Sequence, residues 1–572
     1  MRKIFSAIAI ILGLGALVVG IGQRTIWAPP ETLTASFSQP PAAAPVTLLQ
    51  AGLGTVNGQP STISIKGDGE FSASLIRSSD AKAWVGKAAH TDITGVNTVE
   101  PGLEAQFVSG EGTVPDPVGG DIFVATEKAK GEMTYHWTNP DAGSWTLLLA
   151  ADGKAAAPTD IAVTWAGDTA TPYSMPLMII GALLLIAGLA AAAVRPRGGS
   201  GTGTGRRAAG RAPGTETGAL PQVDETRNPG TMKKTVATLG VLAMVALPSA
   251  PAFAASGSDS PSSSATTDST GETPQVFPVL LQAQLERILE ATSKSVAGAD
   301  KSQKEADLKD RTAGALKQLR TDNFKLRSDG VKLDAPLAVD TTVIRSAAVP
   351  TQQESEFPRS IMVVTAKDAE ATTIPMALTL TQENARENYK LVFATPMLPG
   401  STFPGIAVGD PDVAMSQADA KDLTVSPKDA LNRLASVMDD EKSKYAQDFT
   451  KSAFLTLNAK GQADLVSKNK DAKITFKRTV NEKDTVVLSV PGGGALVSAN
   501  FTAVTTAKPK ETGGTIGLDA VTAKITGEKE TKKGIEITYG EPMLVFIPAS
   551  DSKNKVSVVA AEVITKGAKL LK

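Results

Sequence analysis

The sequence predicts a membrane-anchored, multidomain chain. It combines an all-β, sandwich-like N-terminal ectodomain, transmembrane helices, and a C-terminal α+β region of two tandem units, each with helices first and an antiparallel sheet after. Three observations carry this. Two uncharged apolar runs are long enough to cross a bilayer. Between them, short runs of alternating polarity are separated by Gly, Asp, Asn and Pro. In the C-terminal half, segments of helical period precede blocks of strand-like runs. At 572 residues the chain exceeds a single hydrophobic core, and three or four domains are expected.

Ile4 to Gly22, "IFSAIAIILGLGALVVGIG", carries no charge. A helix of that length spans the about 30 Å hydrocarbon core. Arg2 and Lys3 precede it and set the N-terminus inside. With no Ala-x-Ala exit, residues 1–23 read as a retained anchor. Residues 24–172 read as an exported all-β domain, because "STISIKG" (61–67), "FSASLIRS" (71–78), "GLEAQFVSG" (102–110), "SWTLLLAADG" (144–153) and "TDIAVTW" (159–165) recur at the spacing of a sandwich or barrel. The second span, within 173–195, is Met175 to Val194. Arg195, Arg197, Arg206, Arg207 and Arg211 follow it with no acidic residue before Glu216, which fixes that end in the cytoplasm. Trp27 and Tyr173 then meet the same outer interface.

Residues 196–231, rich in Arg, Gly and Thr, read as a disordered cytoplasmic linker. "TMKKTVATLGVLAMVALPSAPAFAAS" (231–256) then has the form of a secretory signal placed inside the chain. Lys233 and Lys234 lead it, Val236 to Leu247 is its apolar run, and Ala252 and Ala254 fit the small-residue positions of a signal-peptidase site. Residues 232–255 are therefore either a third transmembrane helix or an internal signal peptide cut after Ala254. Both export the chain downstream of them, whether or not Met232 began a once separate reading frame. Residues 256–275 form a Ser/Thr-rich stalk.

The first α+β unit, 276–415, opens with Leu281, Leu285, Ile288, Leu289 and Val296 at helical spacing. A second helix is expected over about 301–327, with Leu308, Leu316 and Leu319. Strands are expected at 341–349, 360–366, 376–382 and 389–398. The second unit, 416–572, starts its helix at Ser426-Pro427-Lys428-Asp429, with Ser at the N-cap, Pro at N1 and Asp at N3. Strands are expected at 473–480, 485–490, 495–504, 534–540, 542–548 and 555–564. This element order suits a cone-shaped α+β fold of the nuclear-transport-factor-2 (NTF2) or cystatin kind.

Composition limits the chemistry. The absence of cysteine rules out disulfides, thiolate metal sites and cysteine nucleophiles, and the net charge of −1 gives no field to draw nucleic acid. Both histidines, His90 and His136, lie in the first third, so the C-terminal half lacks the commonest catalytic base. Local motifs read as structure. Gly492-Gly493-Gly494 lacks the Lys-Ser/Thr of a phosphate loop and reads as a hairpin turn. Asp410-Pro411-Asp412 reads as a turn. Ser-x-x-Lys at Ser79, Ser467 and Ser550 has no Lys-Thr-Gly partner. Asp439-Asp440-Glu441 reads as a solvated helix end. Gly15, Ala16, Gly20, Gly181 and Gly188 would let the first two spans pack closely. No catalytic, cofactor or metal residue is identified.

"IGQRTIWAPPETLTAS" (21–36), "FPRSIMVVT" (357–365) and "YKLVFATPMLPGSTFP" (389–404) resemble segments of an uncharacterised family of actinobacterial multi-pass membrane proteins with an exported C-terminal domain. The resemblance implies a cell-envelope location and carries over no functional residue. The expected function is a non-catalytic binding or scaffold role, with the membrane, other envelope proteins or a lipid or glycan ligand as partners, and no nucleic acid. The alternative is an enzyme or enzyme subunit acting on envelope glycans or lipids through carboxylates. A signalling receptor is disfavoured by the short cytoplasmic loop.

Overall fold

The computed structural model describes residues 2–37, 41–98, 102–140, 143–194, 276–370 and 373–572. The chain forms two compact units: residues 1–27 with 171–271, and residues 28–170 with 272–572.

The described part of the first unit is an antiparallel pair of apolar helices, α1 (Arg2–Gly22) and α3 (Ser174–Ala193), of mean hydropathy 2.7 and 2.4. Each is long and apolar enough to cross a membrane. Small residues set their approach. A Cβ on Gly13 would lie 2.8 Å from the Gly181 carbonyl oxygen, and one on Gly188 would lie 3.2 Å from that of Ser6. Ser6 Oγ donates to the Gly188 carbonyl at 2.6 Å. Gly20, Gly181 and Gly188 thus lie on the seam as expected. Gly15 does not: a Cβ there meets nothing within 4 Å, and Gly13 takes its place.

The N-terminal part of the second unit is mostly β, with one short helix, and it is a closed barrel and not a sandwich. Its main strands are β1 (Thr32–Ser36), β2 (Val46–Leu49), β3 (Gln59–Arg77), β4 (His90–Asn97), β5 (Gly102–Val108), β6 (Ala125–His136), β7 (Trp145–Ala150) and β8 (Asp160–Ala166). The order β3-β7-β2-β4-β5-β1-β8 returns to β3, and β6 adds to β3 outside the ring. Closure comes from β3. The two runs expected at 61–67 and 71–78 are one long strand, whose first half pairs with β8 and whose second half pairs with β7. Ile63, Leu75, Ile93, Leu147, Leu149 and Val163 fill the interior. The alternate residues Ile76, Leu148 and Ala150 face outward and are also buried, under helix α2 (Ser78–Val85) and Ile122-Phe123. Period-two alternation explains both sets.

The C-terminal part is α+β. Helices α4 (Gln282–Ser302) and α5 (Gly314–Ser328) precede an antiparallel sheet of β9 (Val343–Ala348), β10 (Arg359–Ala366), β11 (Met376–Gln382) and β12 (Lys390–Pro396). The second expected helix is shorter than the sequence predicts. The Arg311–Ala313 backbone leaves helical geometry to bond Leu391, with Ala313 N donating to Leu391 O at 3.1 Å and Leu391 N to Arg311 O at 2.8 Å. Helices α6 (Pro427–Asp439) and α7 (Ala453–Lys468) precede the second sheet. Its main strands are β13 (Ala472–Val480), β14 (Val486–Val490), β15 (Gly494–Pro509), β16 (Ile535–Ile547), β17 (Ser557–Ala561) and β18 (Ile564–Leu570). The runs expected at 534–540 and 542–548 are one strand that continues through Pro542.

The two sheets pack face to face, with a helix layer outside each. Ile361, Val363, Leu378 and Leu380 face α4, whereas Met362, Ala377 and Phe393 face the second sheet. Likewise Val497, Phe501, Met543 and Val545 face α6, and Leu496, Leu544 and Ala560 face the first sheet. Strands buried on both faces read as continuous apolar runs.

Candidate functional site

Polar residues concentrate where the barrel meets the first α+β unit. Helix α2 follows β3 directly and presents Asp80 at its first turn. Opposite stands Arg359, the first residue of β10. Both are buried, Arg359 at 2 % exposure and Asp80 at 6 %. The guanidinium grips the carboxylate with two nitrogens, Nη1–Oδ1 at 3.1 Å and Nη2–Oδ2 at 3.4 Å. Its Nε donates to Gln382 Oε1 at 2.9 Å, and Ser355 Oγ donates to Asp80 Oδ1 at 2.6 Å. The planar fork of arginine suits this fixed, two-point contact. Arg386 completes the contact by donating to the carbonyls of Trp84 at 2.7 Å and Val85 at 2.9 Å. It occupies the C-terminal end of α2, where the helix dipole favours a cation.

A second knot centres on Asp121, which is buried in the loop before β6. Arg311 contacts both its oxygens, at 2.5 and 3.1 Å, and Tyr389 N donates to Oδ2 at 2.8 Å. Asn388 Oδ1 accepts from Asp121 N at 2.8 Å. Around it, Arg287 donates to the carbonyls of Phe123 at 2.5 Å and Val124 at 3.0 Å, and Gln284 to those of Asp121 and Ile122. Burial lowers the Arg287 pKa, and Asp121 partly restores it. Burial also pushes the Tyr389 phenol well above its usual range. Carbonyls that a bare loop would leave unpaired are thus satisfied from α4. The seam can hold two folded regions in one register, with little free chemistry left over.

A third knot lies inside the second unit. Arg478 meets Glu541 at 2.7 and 2.9 Å and Asp439 at 3.2 Å, and its own N–H donates to Asp439 Oδ2 at 3.1 Å. Asp439 is therefore not the solvated helix end that the sequence suggests. Burial raises its pKa, opposed by Arg478, while Asp440 and Glu441 are exposed.

The other sequence candidates stay apart. His90 Nδ1 lies 2.9 Å from the Ala88 carbonyl, and His136 is exposed on β6, which does not pair with the strand of His90. Among the described residues no group of three or more His, Asp or Glu could hold a metal ion. Gly492 and Gly493 form the β14–β15 turn with φ of +86° and +80°, and Asp410 Oδ1 accepts from Asp412 N as a turn requires. Arg2 donates to the carbonyls of Ala191 and Val194, which puts it at the same end of the helix pair as the C-terminus of α3. Lys3 follows it in the same helix. Arg195, Arg197, Arg206, Arg207, Arg211, Lys233, Lys234, Ala252 and Ala254 lie outside the described residues.

Sequence reasoning missed Asp80, Asp121, Arg311 and Arg359. One local sign existed for Arg359: it heads "RSIMVVTA", a strand whose every residue is buried. No protein-family model, curated protein or solved structure matches this chain. The fold and seam define a chain with two candidate membrane helices and a β-barrel docked on a double-sheet α+β region.

Proposed function

We propose that this is a non-catalytic, multi-pass membrane protein of the cell envelope, with a binding or scaffold role. In this reading α1 and α3 anchor the chain, and both folded regions stand on the extracytoplasmic side. The observation that carries it is the buried Asp80–Arg359 pair between them. Such a pair cannot form across a bilayer, so residues 28–170 and 276–572 share one compartment. If α3 crosses, the chain must cross back between 195 and 275. The apolar run 236–247 is the segment suited to do so, as a third helix or as a signal cut after Ala254. Either way the C-terminal region stays docked on the anchored barrel.

The buried carboxylates Asp80, Asp121 and Glu541 are each occupied by an arginine. That supports a scaffold over a carboxylate-based enzyme acting on glycans or lipids. The helix-then-sheet order of both units supports the NTF2- or cystatin-like cone, and the actinobacterial resemblance supports the envelope setting.

The chain has no cysteine, so single cysteines report sidedness without background. T169C and K572C should react with a membrane-impermeant maleimide in intact spheroplasts. T202C should react only after lysis. Protection of either of the first two, or labelling of T202C in intact spheroplasts, would overturn the topology.

A further inference from the structure

At one end of the second sheet four strand ends come together: the start of β13, the end of β15, the start of β16 and the end of β18. Each brings exposed lysines: Lys470 and Lys473, Lys508 and Lys510, Lys532 and Lys533, Lys569 and Lys572. The register assembles them into one rim. Lys473 stands directly opposite Lys508 in the β13–β15 pair. Lys510 N donates to the Asp471 carbonyl at 2.9 Å, which brings Lys470 beside it. A Cβ on Gly534 would lie 3.0 Å from both Lys508 Cγ and Leu571 Cδ1, and Leu571 N donates to Gly534 O at 2.9 Å. The 532–534 turn thus lies between Lys508 and residues 569–572.

Three carboxylates share the rim with these eight lysines: Asp471, Glu511 and Glu536, the last tied to Lys569 at 2.6 Å. The excursion between β15 and β16 adds Lys524 and Lys529 against Asp519, Glu528 and Glu530, so a positive excess remains in a chain of net charge −1. Like charges directly opposite in a sheet are destabilising, so solubility alone does not account for Lys473 against Lys508. An anionic partner laid on the rim relieves that repulsion. The residue types narrow the partner. Residues 468–475, 505–536 and 564–572 contain no arginine, phenylalanine, tyrosine or tryptophan. The rim therefore lacks the bidentate fork that fixes a single phosphate and the rings that stack on bases. Lysine, a point charge on a flexible stem, suits a diffuse negative field. Four strands spread the charge over about 14 Å, at about 4.8 Å per strand. A surface meets all four ends at once, whereas a linear polymer follows one row.

We propose that this lysine rim docks the C-terminal region on an anionic lipid bilayer. The contact is electrostatic and lies apart from the apolar helices α1 and α3. It goes beyond the anchoring read above and does not rest on the topology, because anionic headgroups can face either side. A failed maleimide pattern would leave it standing.

The test uses the full chain held in phosphatidylcholine nanodiscs, with empty nanodiscs as blank. The probe is a vesicle of phosphatidylglycerol and phosphatidylcholine in equal parts. Co-sedimentation above the blank is expected, with binding to pure phosphatidylcholine vesicles at least tenfold weaker. Raising ionic strength from about 0.1 M to about 1 M shortens the screening length from about 10 Å to about 3 Å and should weaken binding at least tenfold. Each lysine near an anionic surface is worth about fivefold in partition, so K508Q/K510Q/K532Q/K533Q together should lose at least about thirtyfold. The matched set K301Q/K304Q/K309Q/K332Q, exposed on the first α+β unit, should lose less than about twofold. Soluble polyphosphate, compared at equal phosphate concentration, should bind at least tenfold more weakly than the vesicle. Deuterium uptake over 508–513 and 532–534 in the unaltered chain should fall when the anionic vesicles are added, a readout that does not depend on how a variant folds. Equal binding of neutral vesicles, insensitivity to salt, an unaffected rim variant, equal loss in the matched set, tighter binding of polyphosphate, or unchanged exchange would each overturn the proposal.

Discussion

Two seams join the three parts of the second compact unit, and they are built from opposite materials. Between the two sheets of the α+β region the contact is apolar: Met362, Ala377 and Phe393 meet Leu496, Leu544 and Ala560. Between the barrel and the first sheet, buried salt bridges and arginine-to-carbonyl bonds add to the packing. An apolar contact is tolerant of register, because any close-packed arrangement removes the same surface from water. A bidentate ion pair is not: it is satisfied in one geometry and costly in all others. The sheets follow one another in the chain, joined through 397–471 with α6 and α7, and can form their contact as the chain collapses. The barrel and its dock are separated in sequence by 171–275, and their pairing must be chosen after each has formed. The ionic seam suits that task.

The largest test of this contrast removes one partner from each seam. Arg359→Ala would strand Asp80 in a buried site, and we expect a loss of about 3–5 kcal/mol in docking of the barrel. Asp80→Leu combined with Arg359→Met should recover much of it. Leu544→Ala in the apolar seam should cost about 2–5 kcal/mol, with no second substitution that restores it so simply. Trp84, Trp137, Trp145 and Trp165 lie in the barrel region, with Trp84 at the dock, so in a Trp27→Phe background tryptophan fluorescence in denaturant reports the barrel side alone. If Arg359→Ala moved that transition by less than about 1 kcal/mol, the ionic seam would not be what holds the barrel.

A smaller effect sharpens the same contrast with pH. Glu562 sits at the margin between the two α+β units, where no cation fully compensates it. Its pKa rises from 4.5 to about 7, chiefly through burial. A carboxyl that holds its proton more tightly when folded favours the folded state below the unfolded pKa. That contribution is lost as pH rises from about 4.5 to 7, at no more than about 1.4 kcal/mol per pH unit. Denaturant midpoints of Glu562→Gln, compared with the parent, should therefore lack a decline across that window. Parallel curves for the two would mean that Glu562 is solvated.

How far the sequence reveals this molecule depends on the reach of each interaction. Apolar periodicity locates α4, because Leu285, Ile288, Leu289 and Val296 lie on one buried face. It misses α7, which buries no residue, and the short polar α2. It divides β3 at Gly67-Asp68-Gly69 and β16 near Pro542, where local turn chemistry loses to sheet pairing. Barrel closure is illegible, since it is a register between β3 and β8 a hundred residues apart in the chain (Ser61 with Trp165). So is the seam: nothing near Asp80 marks Arg359 as its partner. Arg320 and Asn323 fall on the same helical face as Leu316, Leu319 and Phe324, and a charge on an apolar face is a residue with an appointed partner.

The helix start at Ser426 gives the smallest expected effect and the control for this reasoning. Ser426, Pro427 and Asp429 predict an N-cap from four consecutive residues, and Ser426 Oγ accepts from Asp429 N at 3.2 Å. The bond satisfies one of the orphan donors of the first turn, while Pro427 needs none. Solvent reaches this helix end, so water can replace the serine in part. Ser426→Ala should therefore cost about 1 kcal/mol, read as faster deuterium exchange confined to the first turn of α6, with the tryptophan transition of the barrel unmoved. Ser426→Asp should restore it, because a carboxylate both accepts the bond and suits the helix dipole. A loss that reached the barrel transition would mean that α6 and the ionic dock unfold as one cooperative body, and the apolar and ionic seams would not be separable.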